Sequence, residues 1–231
     1  MRKQVKTEHT GKIPHFHRVG ATFFITTHLH GSIPFDVLKK LKAKKDKLLA
    51  AARQKKSDNL EKEIYMIHRA YFYEYDKLLD NCLNSPTHLI NPEVAKVVEA
   101  CIRKYDQLYY NLVTFTIMPN HLHLVIDFSL QMRKIIPFDI AAYKNVSKVM
   151  NLIKGASGFE ANKIIGNVGN PFWANGYYDR YIRSQQHYLG AVNYTINNVV
   201  KAKICNHWME HPFTWLDSEY QKLELIFPNK G

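Results

Sequence analysis

The sequence has little of what marks several common classes of protein. It holds three cysteines, Cys82, Cys101 and Cys205, and they form no Cys-x-x-Cys pair, which argues against a zinc ribbon or a disulfide framework. No apolar run approaches the roughly 20 residues that span a bilayer. The first residues also lack the apolar stretch of a secretion signal. These absences predict a reduced, cytoplasmic protein that has no membrane partner.

Acidic residues are scarce relative to basic ones. The chain has 32 lysines and arginines against 20 aspartates and glutamates, which gives a formal net charge of +12. Such an excess favours a polyanionic partner, and the lack of a membrane segment favours nucleic acid over a membrane surface. We therefore expect a protein that associates with DNA in the nucleoid.

The periodicity of apolar residues predicts a single domain of the α+β class. Segments rich in β-branched and aromatic residues predict strands at 21–29, 107–117, 121–128 and 172–183. Apolar residues at helical spacing predict helices at 35–83, from the cap Asn91 with Pro92 at its first position, at 143–154 up to a cap at Gly155, and at 186–203. This order fits an antiparallel sheet with flanking helices, in one domain over 1–231 with a tail from about 205.

The stretch from about 35 to 83 would be a helical insertion in this domain. Lysine is dense between Lys39 and Lys62, and this run of like charge has two interpretations. One is the solvated face of an amphipathic helix or helical hairpin, which is the usual meaning of such a run. The other is a basic arm that lies along DNA. The sequence leaves both interpretations open.

One motif combines a turn with paired metal-binding side chains. The segment Met118-Pro-Asn120 is typical of a tight turn, and the strand after it carries His121 and His123. Because side chains alternate along a strand, both histidines point to one face while Leu122 points into the core. Two imidazoles on one face form half of a divalent-metal site, although two surface imidazoles without a metal fit the same spacing.

A second His-x-His pair, His28 and His30, is interpreted differently. It lacks a preceding Met-Pro-Asn turn and runs directly into Gly31. We therefore expect these two side chains to lie at the surface or to contact DNA rather than to bind metal.

A predicted helix near the C-terminus carries groups that phosphodiester cleavage needs. Tyr194 and Asn198 are four residues apart and share one helix face. A tyrosine phenolate is a competent nucleophile, and a carboxamide oxygen can coordinate a hard cation. Lys201 lies near the same face and is expected to contact phosphate. Alone, the pair is weakly diagnostic, since most such tyrosines pack or cap.

Basic and aromatic residues elsewhere offer further candidates. Lys154, Arg180 and Arg183 are expected to contact phosphate groups of DNA. Three tyrosines of the aromatic block at 172–183 are rival nucleophiles, although strand packing and base stacking are their favoured roles: Tyr177, Tyr178 and Tyr181.

The segment 116–126 closely resembles the HUH motif (His-hydrophobic-His) of single-tyrosine transposases. It is most similar to the REP-associated tyrosine transposases of the IS200-like superfamily. The likeness continues in order over most of the chain, at 14–27, 31–34, 151–155, 172–183 and 194–204. The resemblance implies a ferredoxin-like fold of the HUH-endonuclease type.

The resemblance also implies a role for each residue of the site. His121, His123 and Asn198 would be ligands of Mg²⁺ or Mn²⁺, and Tyr194 would be the nucleophile. The implied reaction cleaves single-stranded DNA, leaves a 5′-phosphotyrosyl link and a free 3′-hydroxyl, and is reversible as strand joining. The implied substrates are hairpins at repeated extragenic palindromes. Similar enzymes act as monomers or as homodimers that exchange their tyrosine helices, so both assemblies stay open.

The chain departs from the family pattern just after the tyrosine. Val199 replaces the usual proline and Lys203 replaces the usual glycine, so we expect the tyrosine helix to continue to about Ile204. Two alternative functions remain beside the transposase. One is a domesticated hairpin-DNA-binding protein without transposition activity, and the other is an unrelated metal-binding RNA or phosphoester enzyme.

Overall fold

The described strands pair antiparallel and are joined by helices, as in an α+β domain. The computed structural model describes residues 6–7, 17–55, 59–81, 85–134, 137 and 139–219. The strands of this part are β1 (Lys6–Thr7), β2 (His17–Arg18), β3 (Thr22–His28), β4 (Asn111–Ile117), β5 (His121–Asp127), β6 (Tyr178–Tyr181) and β7 (Thr214–Leu216). Its α-helices are α1 (Phe35–Gln54), α2 (Leu60–Asn81), α3 (Pro92–Lys104), α4 (Ser129–Lys134), α5 (Val146–Ile164) and α6 (Gln185–Lys201).

An open antiparallel sheet of five strands, in the order β6-β3-β5-β4-β7, forms the centre of the fold. Strand β5 lies between β3 and β4, and in its register Thr26 faces His123 and His28 faces His121. Strands β1 and β2 form a separate two-stranded pair. The predicted α+β fold, with flanking helices and a helical insertion, is confirmed.

The two faces of the sheet carry different cores, because successive residues of β5 point in opposite directions. Leu122 and Leu124 lie in a cluster with Val98 of α3 and Val149 of α5. On the opposite face, apolar residues of the sheet pack against α6, as Val125 does in one cluster with side chains of that helix. His121 and His123 have the same parity as Val125, so they lie beneath α6.

The insertion forms two helices that pack on each other. Their apolar stripes meet in a small cluster that contains Leu41 of α1 with Tyr75 and Leu79 of α2. At the surface, Lys44 of α1 donates to Glu74 of α2 at 2.7 Å. This arrangement is that of a solvated amphipathic hairpin. None of the described helices is long and apolar enough to cross a membrane.

Helix α3 begins as its sequence predicts. The side chain of Asn91 accepts a hydrogen bond from the backbone N–H of Glu93 at 2.9 Å, and Pro92 is the first helical residue. Because proline has no N–H to leave unsatisfied, it fits the first turn of a helix.

Helix α5 is longer than predicted, and the predicted cap at Gly155 is wrong. The helix continues to Ile164, and Gly166 follows its end with a φ of +67°. Gly158 lies inside the helix where Trp173 packs against it. A Cβ at Gly158 would lie 3.3 Å from Trp173 and from Phe172, so this glycine permits close packing rather than termination.

The strand predicted over 172–183 is confirmed only for its second half. Strand β6 covers Tyr178–Tyr181, and the earlier part contributes a single bridge between Trp173 and Leu29. Gly176 lies between them with a φ of +76°, a conformation that cannot continue a strand.

The tyrosine helix does not continue to Ile204. It ends at Lys201, and Lys203 adopts a left-handed φ of 58°, a conformation that favours glycine. The N–H of Ile204 donates to the carbonyl of Val199, and that of Lys203 donates to Val200, each at 2.9 Å. This is the C-terminal motif usually made with glycine, formed here with a lysine, and it ends the helix before Ile204.

Candidate metal centre and tyrosine

The two histidines of β5 present the same ring nitrogen to one point. Nε2 of His121 lies 3.1 Å from Nε2 of His123, and both side chains are buried. Nδ1 of His121 lies 2.6 Å from Oδ1 of Asn120, while Nδ1 of His123 lies 2.8 Å from the hydroxyl of Thr26. With their Nδ1 atoms held in this way, both Nε2 atoms point to one shared position.

Asn120 fixes the tautomer of His121. Its Nδ2 donates to the carbonyl of Leu79 at 2.9 Å and to the hydroxyl of Ser85 at 2.8 Å, so its Oδ1 faces the imidazole. Since that oxygen accepts, Nδ1 of His121 carries the proton and Nε2 carries the lone pair. Burial, and next the nearby His123, lower the pKa of His121 well below its ordinary value. The ring is thus held in the neutral form that binds metal.

Helix α6 brings Asn198 to the same point. Its Nδ2 lies 3.5 Å from Nε2 of His121, and its Oδ1 is buried with no hydrogen-bond partner among the described residues. Rotation about the last side-chain bond exchanges the two ends of the amide, so Asn198 can present its oxygen to the histidine pair. A buried oxygen that meets no donor is costly unless it has a ligand.

The inserted helix α2 adds a carboxylate that sequence reasoning missed. Asp76 is buried, and its Oδ1 lies 3.4 Å from Nε2 of His123 and has no hydrogen-bond partner in the described part of the chain. Ligand atoms of Asp76, His121 and His123 all lie within 4.8 Å of one another. The signal was present, because Phe72, Tyr75, Asp76 and Leu79 follow the spacing of one apolar helix face. An acid on such a face is buried and needs a partner.

Tyr194 lies beside this cluster and is bonded to it. Its hydroxyl donates to Oδ2 of Asp76, and its ring centroid lies 5.5 Å from that of His123. Phe24 and Phe72 pack edge-on against the same ring, with centroids 5.8 and 5.6 Å away. In this single chain the tyrosine therefore lies beside both histidines, Asn198 and Asp76.

The charges of the cluster oppose ionisation of the tyrosine. Burial, followed by the charge and hydrogen bond of Asp76, raises the pKa of Tyr194 above its ordinary value. Burial alone would also raise the pKa of Asp76, but the adjacent His123 and then the hydrogen bond from Tyr194 outweigh it and hold that pKa below its usual range. The resting pair is therefore a neutral phenol that donates to a carboxylate.

Lys201, predicted to contact phosphate, is bound to acids of α2. Its Nζ lies 3.2 Å from Oδ2 of Asp76 and 2.9 Å from Oδ2 of Asp80. The same ammonium lies 5.6 Å from the ring centroid of Tyr194. The structure thus brings Lys201 to the tyrosine, where it compensates the charge of Asp76.

The other three predicted phosphate contacts lie in different surroundings. Nζ of Lys154 donates to the carbonyls of Ala174, at 2.8 Å, and Gly176, and burial lowers the pKa of this lysine to about 8. Arg183 is exposed. Arg180 lies with Cζ 4.5 Å from the ring centroid of Tyr65, and its Nη2 is buried with no hydrogen-bond partner in the described chain. Of these three, Arg180 lines a cleft that also reaches Tyr194.

The rival tyrosines occupy packed positions. Tyr178 lies 4.7 Å, centroid to centroid, from Phe72. The hydroxyl of Tyr177 is 2.9 Å from that of Ser147, and the hydroxyl of Tyr181 accepts from Arg18 at 2.5 Å. These contacts agree with the packing role expected of the aromatic block.

The expectation of a surface or DNA contact is wrong for His28, although His30 is exposed. Strand β3 is internal, and Tyr75 of α2 covers His28 with its ring centroid 5.7 Å away. Its Nδ1 lies 2.9 Å from the carbonyl of Leu29, and burial lowers its pKa to about 4. His28 is a buried neutral residue under the insertion.

The chain is similar to a known protein family and to a solved structure. A family model described as "Transposase IS200 like" matches residues 81–198, which include both histidines of β5, Tyr194 and Asn198 but not Asp76. A solved structure described as "Structure of the REP associates tyrosine transposase bound to a REP hairpin" is similar with a TM-score of 0.50 and 12% identity. That similarity covers 94% of this chain and 87% of the other, and at this identity it shows a shared fold. No curated protein matches the chain.

Proposed function

The chain belongs to the IS200-like transposase family, and we propose that it is a metal-dependent single-strand DNA endonuclease and transposase that acts through a 5′-phosphotyrosine. The observation that carries this proposal is the hydrogen bond between Tyr194 and Asp76, whose other oxygen faces His123. It joins a nucleophile to a proton acceptor at the edge of a cluster of metal-binding groups.

The donor set fits a hard divalent cation. Two imidazole nitrogens, one carboxylate oxygen and one amide oxygen converge, and the two oxygens are buried without partners among the described residues. The carboxylate and carboxamide oxygens suit Mg²⁺ or Mn²⁺, and the two imidazole nitrogens complete the set as general ligands of divalent metals. We therefore assign His121, His123, Asn198 and Asp76 as the residues that hold the metal. When bound, such a cation polarises a phosphate oxygen as a Lewis acid.

The protein's own groups then account for the proton and the bonds. Oη of Tyr194 attacks the scissile phosphorus, and its proton passes to Oδ2 of Asp76, which already accepts its hydrogen bond. An Oη–P bond forms while the bond from phosphorus to the 3′-oxygen breaks. The leaving oxygen takes a proton from water, and the hydroxide that this leaves takes the proton from Asp76. Attack of a 3′-hydroxyl on the phosphotyrosine reverses the step and joins strands. Lys201 holds Asp76 in place through its contact with Oδ2.

Hairpin DNA at palindromic repeats is the proposed partner. The solved relative is bound to a REP hairpin, and the formal net charge of +12 suits a polyanion. This partner implies a place of action with the chromosome, in the cytoplasm.

A covalent-adduct assay tests the proposed function. Single-stranded oligonucleotides that contain a REP-type hairpin with unpaired flanks are incubated with protein and Mg²⁺ or Mn²⁺ and separated under denaturing conditions. Wild type is expected to form a protein–DNA adduct, and Tyr194→Phe is expected to form none while it binds the hairpin as tightly. Tyr178→Phe is the matched control and should still form the adduct. Hairpin binding without any adduct, with either metal, would favour the domesticated DNA-binding protein instead.

A further inference from the structure

A cleft opens beside Tyr194, between the inserted helix α2 and the tyrosine helix α6. Its volume is about 550 Å³, within the range of roughly 300–1,000 Å³ typical of ligand sites. Phe24, Phe72 and Tyr194 line it together with further residues of α2, β6 and α6 and the cap residue Ser184. The cleft is thus continuous with the proposed nucleophile.

Aromatic side chains form the α2 wall of the cleft. Tyr73 is 67% exposed although it is a large aromatic residue. Tyr65 is held by its neighbours, because Arg180 lies over its ring and the ring of His187 meets it at 82° with centroids 6.3 Å apart. Flat faces that are either exposed or held from one side are platforms on which a nucleobase stacks.

The charged groups of the cleft are cationic. Arg69 and Arg180 line it, and none of the described residues that line it is acidic. Nη2 of Arg180 is buried and has no hydrogen-bond acceptor in the described part of the chain. A buried guanidinium nitrogen without an acceptor among the described residues, next to a cleft without acids, favours an anionic or strongly accepting ligand.

We propose that this cleft binds one unpaired nucleotide of the DNA strand that Tyr194 cleaves. The base stacks against Tyr65 and Tyr73, and a phosphate or a base acceptor meets Arg180. The pocket suits a single splayed nucleotide rather than a duplex, since an intact helix offers its bases only edge-on. The assignment of the strand rests on the proposed function, because it uses Tyr194 as the reacting group.

The α2 wall belongs to the insertion and not to the matched family region. Tyr65, Arg69 and Tyr73 all precede residue 81, where the match to the family model begins. Selection of an unpaired nucleotide by this wall is therefore a property of the inserted hairpin. The same helix carries Asp76, so the insertion couples nucleotide binding to the tyrosine.

Binding of short oligothymidylate, measured at one fixed salt concentration, tests the cleft. Tyr65→Ala and Tyr73→Ala are expected to weaken binding by roughly 5- to 150-fold each, the usual effect of removing one stacking platform. Affinity for a blunt hairpin without unpaired nucleotides should not change. Tyr73→Phe keeps the platform and should bind like wild type. Phe159→Ala, which removes an aromatic ring of α5 that is 59% exposed, is the matched control and should have no effect.

Photocrosslinking gives a readout that does not depend on catalysis. Oligothymidylate that carries 5-iododeoxyuridine is expected to crosslink to the peptide that contains Tyr65 or Tyr73. Unchanged oligothymidylate affinity in both alanine variants, or equal loss of blunt-hairpin binding, would overturn the assignment. Crosslinking at this wall without a Tyr194 adduct would support the cleft and contradict the proposed function. An adduct that forms equally well in both alanine variants, without any crosslink at the α2 wall, would support the proposed function and contradict the cleft.

Discussion

Tyr194 and Asp76 are 118 positions apart in the chain, yet the phenol of Tyr194 donates a hydrogen bond to the carboxylate of Asp76. The two residues come from different parts of the fold, the family-matched helix α6 and the inserted helix α2. The other carboxylate oxygen of Asp76 faces His123. One inserted side chain therefore links the proposed nucleophile to the proposed metal centre.

Asp76→Asn should show whether the reaction needs the negative charge of the Asp76 side chain or only its size and shape. The amide keeps the size of the side chain but is a poor proton acceptor and a weaker metal ligand. We expect the rate of adduct formation to fall by about 10²- to 10⁴-fold, the usual contribution of a general base. Gel quantification of adduct against time gives this rate. Asp80→Asn is the control, because Asp80 accepts from Lys201, whereas the contacts with Tyr194 and His123 are made by Asp76. A wild-type rate in Asp76→Asn would remove Asp76 from the mechanism.

Metal binding should stabilise the folded chain through the histidine pair. At a Mn²⁺ concentration of about 100 times the dissociation constant, a folded-state ligand adds about 2.7 kcal/mol to the free energy of unfolding. For a chain of this size that corresponds to a rise in Tm of roughly 5–10 °C. Thermal melts with Mn²⁺ and with chelator measure the rise.

The same melts on His121→Ala and His123→Ala should show almost no effect of Mn²⁺. Their affinity for hairpin DNA is expected to stay near that of wild type, because neither side chain is exposed. A full Mn²⁺-dependent shift in both variants would mean that the metal binds elsewhere.

Stability in the absence of metal should fall as the solution is acidified, partly through His28. Its folded-state pKa is about 4 whereas its unfolded value is about 6.5, so the folded state loses stability as pH falls from about 6.5 to 4. Between pH 7 and 5 this residue accounts for a loss of about 2 kcal/mol in the free energy of unfolding. Urea unfolding with chelator at both pH values should show a smaller loss in His28→Gln. An equal loss in the variant would assign the acid sensitivity to other groups.

Substitutions at the end of the tyrosine helix test the geometry of that helix end without changing a residue of the proposed site. Lys203 adopts a left-handed φ of 58°, which costs a residue with a Cβ about 1–2 kcal/mol. Lys203→Gly should therefore raise the free energy of unfolding by about 1 kcal/mol in urea titrations without changing the adduct rate. Ala202→Gly, one position earlier at the helix cap where φ is −77°, is the control and should lower it, because no left-handed conformation favours glycine there. A lower stability for Lys203→Gly would contradict the helix-end geometry.

Parts of the site that depend on neighbours along the chain were predictable. The alternation of β5 placed His121 and His123 on one face, and helical spacing placed Tyr194 and Asn198 together. Asp76 was not predictable with these rules, because its role depends on which sheet face the insertion covers. The dense lysine run in the same segment indicates solvated charge, and it gives no sign that one acid of the segment, Asp76, is buried.

Other errors have the same physical origin. Gly155 looks like a helix end in isolation, but α5 gains its packing from the sheet on both sides of that glycine. His28 looks exposed when its strand is considered alone, yet α2 covers it. In both cases tertiary packing overrides a local preference, which a single sequence does not reveal.

Mass spectrometry of the trapped protein–DNA adduct tests the central claim most directly. Wild-type protein is incubated with a single-stranded repeat oligonucleotide and Mn²⁺, the DNA is digested by nuclease, and the modified peptide is sequenced. The account predicts a nucleotide attached through its 5′-phosphate to Tyr194. Attachment at Tyr177, Tyr178 or Tyr181, or hairpin binding with no attachment at any tyrosine, would contradict it.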